Sequence, residues 1–107
     1  MRSAFAAVIG FSVIAASAAF ADPRPSVQEG QALYDARCKM CHATGMGGAP
    51  LMDKMATLDP HAVVEKLTSG TMAPMASGIS PENKRDIAVY LTGKPLPAKD
   101  GMPAVEP

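Results

Sequence analysis

The sequence has no run of like charge, no internal repeat and no alternating apolar–polar stretch long enough for a strand. Without a charge run, nucleic acid is not a partner: Arg24, Arg37, Lys39, Lys54, Lys66, Lys84, Arg85, Lys94 and Lys99 are interleaved with acids and build no basic stripe for phosphates. The formal net charge is zero, and losing Arg2 would leave it slightly negative, so the surface reads as mixed and solvated. Without alternation, the class is all-α. Length is scarce too, since 107 residues give room for one small domain and no second core. Chains of this size often rely on a staple or a bound group to complete the core. Cysteine is limited to Cys38 and Cys41.

What is present begins with a leader. Met1 to Ala21 has a positive start at Arg2, an apolar run from Ala4 to Ile14, and Ala19-Phe20-Ala21 as an A-x-A site before Asp22. This is the pattern of a secretory signal, cleaved after residue 21, that sends the rest to the periplasm. The competing reading is an uncleaved anchor. Against it, the run is about as short as a spanning helix can be and is diluted by Ala and Ser, so no stable membrane insertion is expected. The expected division is a signal over 1–21, a domain over 22–96 and an extended, mobile tail over 97–107, where Pro97, Pro103 and Pro107 fall.

Three segments carry helix punctuation. Ser26-Val27-Gln28-Glu29 fits a capping box, and Val27, Gly30, Leu33, Tyr34 and Cys38 recur at helical spacing. Asp59-Pro60 opens a second helix that closes at Gly70 and buries Val63, Val64 and Leu67. Ser80-Pro81 opens a third through Ile87, Tyr90 and Leu91, ending at Gly93-Lys94-Pro95. Two irregular loops lie between, one Gly-rich (Gly45, Gly47, Gly48, Pro50) and one running from Thr71 to Ile79 with Met, Pro and Gly. Irregular segments of this length in a compact domain are usually functional or wrapped around something.

Cys38-Lys39-Met40-Cys41-His42 is Cys-x-x-Cys-His, the attachment sequence of c-type haem. Cysteines three apart on a helical turn are surface neighbours, so both sulfurs face one edge where two vinyl groups can be captured as thioethers. His42 follows at the position of a proximal iron ligand. Other readings are a plain disulfide, a thioredoxin-like pair and structural zinc. A thioredoxin-like pair would follow a strand, and none precedes Cys38. Zinc would need a second ligand pair, and only His61 remains, beside Asp59 at a helix start where a surface histidine is ordinary.

Helix, attachment motif, Gly-rich loop, Met-Pro loop and closing helix together resemble the class I c-type cytochromes with one haem, over Gln28 to Gly93. The resemblance implies about three main helices around one haem c bound through Cys38 and Cys41. It also implies a close crossing of first and last helices at Gly30, Tyr34, Ile87 and Tyr90. Pro50 resembles the proline whose carbonyl receives the proximal histidine's proton, although a plain turn proline fits as well. The family draws its sixth ligand from the loop before the last helix, here Met72 or Met75. Met72 is favoured by its position two residues after Gly70 and eight before Ser80; Met75 follows Pro74, whereas the family more often has proline just after the ligand. Met40, Met46, Met52, Met55 and Met102 read as gap-fillers or surface.

The implied function is one-electron transport rather than catalysis, between redox proteins that dock transiently through an apolar rim. Leu67 to Met72, Ile79-Ser80 and Ile87 to Gly93 are similar to cytochrome domains attached to quinoprotein alcohol dehydrogenases. That makes such a dehydrogenase an expected donor, and an oxidase or second cytochrome an expected acceptor. The alternative is a haem c enzyme or gas sensor with five-coordinate iron.

Overall fold

The computed structural model describes Gly10 and residues 26–107; apart from Gly10, the expected signal and its cleavage site lie outside the described residues. The described chain is helical: α1 (Ser26–Arg37), α2 (Lys39–His42), α3 (Met52–Met55), α4 (Pro60–Thr68) and α5 (Pro81–Thr92), with a short 3-10 turn at Met46–Gly48. The all-α expectation holds. Among the described residues no helix is long and apolar enough to cross a membrane.

The two long helices form the frame, and a glycine sets their distance. A Cβ on Gly30 of α1 would collide with the carbonyl of Asp86 in α5 and come within 2.9 Å of the Ile87 nitrogen. Only a residue without a side chain permits that approach, which is the expected crossing. One turn along each helix, Tyr34 and Tyr90 pack with ring centroids 5.6 Å apart at 44°. Burial pushes the Tyr34 phenol up from its usual range, with Cys38 adding to the effect. Gly30→Ala should cost about 1–3 kcal/mol, because both neighbours are backbone and cannot rotate away. Thermal unfolding checks this, and an unchanged melting temperature would show the helices free to separate.

The other helices are built as their punctuation indicates. Asp59 accepts from the His61 N–H at 2.7 Å, and Pro60 fills the first position of α4. That hydrogen bond first, then the His61 side chain, draws the Asp59 carboxyl below its ordinary range. Ser80 accepts from the Asn83 N–H at 3.1 Å, and Pro81 starts α5. Gly93 ends α5 in the left-handed region at φ 66°, where glycine carries no Cβ penalty. Helix α4 closes at Ser69-Gly70 as expected, but Gly70 is not left-handed: it lies so close to α4 that a Cβ would come within 2.8 Å of the Lys66 Cα.

The C-terminal segment also departs from the sequence reading. Residues 97–107 were expected as an extended, mobile tail; the segment instead folds back, with Leu96 and Val105 exchanging hydrogen bonds of 2.9 Å and both side chains buried. Arg85, itself buried, donates to the carbonyls of Pro97 at 2.6 Å and Pro103 at 3.2 Å. The guanidinium supplies fixed donors for both carbonyls. Since α1, α4 and this segment surround it, α5 is buried through Arg85, Asp86, Ile87, Ala88, Val89, Leu91 and Thr92.

Candidate functional site

The Cys-x-x-Cys-His run forms its own helical turn. Cys38 breaks away from α1 at φ −116°, yet its N–H still reaches Tyr34 O at 2.8 Å, so the two helices follow without a loop. His42 N–H closes onto Cys38 O at 3.1 Å and Gly45 N–H onto Cys41 O at 2.9 Å. Gly45, at φ 75°, then turns the chain out of the helix. Both cysteines are free thiols, half-buried. Burial pushes the Cys38 thiol up, with Arg37 opposing.

His42 is 8% exposed, and its Nδ1 lies 2.7 Å from the carbonyl oxygen of Pro50. A carbonyl only accepts, so Nδ1 carries the proton and the Nε2 lone pair is left for a metal. The Gly-rich loop brings Pro50 back to the ring: Gly47 and Gly48 at φ 66° and 80° adopt backbone conformations that other residues rarely take. Of the two readings open for Pro50, the geometry matches the one in which its carbonyl orients the ring.

These residues open onto a cavity of about 570 Å³ between the motif, α4, α5 and the Met-Pro loop. Pockets for cofactor-sized ligands run from about 300 to 1,000 Å³. Its walls include Tyr34, Val63, Leu67, Ile79, Ile87 and Leu91, and its lining also contains Cys38, Cys41, His42, Met72 and Met75. The expected site residues thus border one space. The two loop methionines differ there: Met72 is partly buried against the core, whereas Met75 is 55% exposed. His61 stands on the surface beside Asp59.

Two features were not expected from sequence. Met55, discounted for its nearness to His42, is buried and lines the cavity from α3. The charged residues in the lining are Arg37, Lys54 and Lys66, so this face is basic although the chain as a whole is neutral. Scattered positions in sequence become one rim only after folding.

Two thiols and an imidazole on one helical turn, beside an apolar cavity of cofactor size, have the chemistry of a c-type cytochrome domain: thioether formation, nitrogen ligation and exclusion of water. The family described as Cytochrome C oxidase, cbb3-type, subunit III matches residues 25–91, and the chain belongs to this cytochrome c family. A polyvinylalcohol dehydrogenase of Pseudomonas sp is 39% identical over 70 residues, which are 65% of this chain and 11% of that protein. A second, from Sphingopyxis sp. (strain 113P3), is 30% identical over 74 residues, 69% of this chain and again 11% of its own length. Cytochrome c-555 of Chlorobaculum thiosulfatiphilum is 56% identical over 32 residues, 30% of this chain and 37% of that protein. The chain therefore corresponds to a small part of either dehydrogenase. No solved structure matches.

Proposed function

We propose that the chain is a periplasmic one-electron carrier, with one haem c bound through Cys38 and Cys41 and ligated by His42 and Met72. The observation that carries this reading is the 2.7 Å contact from His42 Nδ1 to Pro50 O beside an apolar cavity that both cysteines and Met72 also line. When bound, haem c supplies a ferric/ferrous couple that takes up and releases one electron at a time. The protein's part is to hold and insulate. Pro50 fixes the imidazole, so the ring presents Nε2 in one orientation. Met72 contributes a thioether, a neutral donor that favours the reduced state. Val63, Leu67, Ile87 and Leu91 keep water out, which favours the state of lower charge in the same direction.

The exposed Met46 and Met75 lie at the cavity, where a partner can approach, with Arg37, Lys54 and Lys66 around it. The division into a cleaved signal over 1–21 and a cytochrome domain from residue 22 belongs to the same proposal. So does a dehydrogenase as donor, with an oxidase or second cytochrome as acceptor; similarity to a part of two dehydrogenases supports the donor.

Visible spectra of protein matured in a host that attaches haem c provide the test. Oxidised and reduced forms should both be six-coordinate, and the reduced form should be nearly inert to carbon monoxide. A rapid, complete spectral change with carbon monoxide would sink the carrier and favour a five-coordinate enzyme or sensor.

A further inference from the structure

Arg37 is the last residue of α1 and the neighbour of Cys38, and its side chain leaves the helix to cross to the Met-Pro loop. Its Nη2 donates to Met75 O at 3.0 Å and to Ser77 O at 2.9 Å, acceptors 38 and 40 residues away in sequence. Each proton of that nitrogen has its own carbonyl.

The loop otherwise has mostly internal support. Met75 N–H and Ala76 N–H both turn back to Met72 O at 3.1 Å, and Ala76 is buried as the loop's plug. On one side the loop is tied to α4 through Met72 N–H and Lys66 O at 3.1 Å. On the other side Arg37 ties it to the helix that leads into the haem-attachment turn. The two carbonyls it holds flank Ala76, whose own N–H closes the turn on Met72. Releasing Arg37 would therefore loosen the turn that fixes Met72. A guanidinium suits this post, since it stays charged at every accessible pH and its planar fork loses less freedom per bond than a lysine does.

We propose that Arg37 is a positioning residue that clamps the Met-Pro loop across the cavity and so keeps Met72 on the iron. This rests on the Met72 reading given above and adds to it the device that controls how often the ligand leaves. In this role Arg37 acts through Met75 and Ser77.

The experiment uses the ferric holoprotein with imidazole as the probe for an opened sixth position. Arg37→Ala should bind imidazole on the order of tenfold more tightly, as expected for losing hydrogen bonds from a charged donor. Hydrogen exchange at the Ala76 amide should accelerate by a similar factor, while exchange in α5 stays as in the wild type. Arg37→Lys should restore part of both effects, which general destabilisation would not do. Unchanged imidazole affinity, or unchanged exchange at Ala76, overturns the proposal. The amide readout judges the clamp whichever residue ligates iron. Met72→Ala in parallel judges the ligand reading: if that variant keeps its sulfur–iron absorption, the Met72 reading has failed even where Arg37→Ala speeds exchange, and this proposal falls with it.

Discussion

Serine at both Cys38 and Cys41 should abolish covalent haem: a denaturing gel stained for haem shows a band for the wild type and none for the double variant. A thioether needs a sulfur nucleophile, and a serine hydroxyl, far less acidic and less polarizable, does not replace it. Position matters as much as chemistry. Both thiols sit on one turn whose hydrogen bonds run from His42 N–H to Cys38 O and from Gly45 N–H to Cys41 O, so either single variant should retain one link. The double variant should also lose stability, because a cavity of about 570 Å³ is large for a domain with so small a core. Haem that extracts from the wild type into acidified organic solvent would refute covalent attachment at once.

Met72→Ala carries the second large effect. It should remove the weak sulfur-to-ferric-iron absorption band, lower the reduction potential and let added ligands bind iron freely. Met75→Ala should leave all three nearly as they are, consistent with the exposure of Met75 and the partial burial of Met72. The reverse pattern would move the ligand to Met75. Retention of the band in both variants would move attention to Met55, which lines the same cavity from the opposite end of the Gly-rich loop.

Local signals in the sequence were enough for the helix starts and the attachment turn. Asp59-Pro60 and Ser80-Pro81 combine a side-chain acceptor with a residue that needs no N–H partner, and both start helices as that pairing dictates. The crossing at Gly30 was implied by the family resemblance, and the close approach of Gly30 to the Asp86 backbone matches it. The short helix α3 was below the length at which periodicity shows, and the other misses are long-range. Arg85 gives no sign in sequence that it will be buried, because its acceptors are carbonyls 12 and 18 residues ahead. Its burial is what turns the supposed tail into part of the domain. Met55 was set aside as a ligand for its nearness to His42 and read as a gap-filler or surface residue; it is buried and lines the cavity. Arg37 looked like one more scattered cation, because its role depends on a loop about forty residues away.

The wrapping of α5 has a consequence for when this domain can form. Its partners come from both extremes of the described chain, Tyr34 on one side and the Leu96 to Val105 return on the other. Contacts between such distant residues are late events in folding, since the intervening chain must first be closed into loops. Synthesis of the first four helices therefore leaves them without the element they pack on, and α5 stays wet until residues near Val105 have emerged. Until then Ile87 and Leu91 of α5 cannot close the cavity beside Cys38 and Cys41.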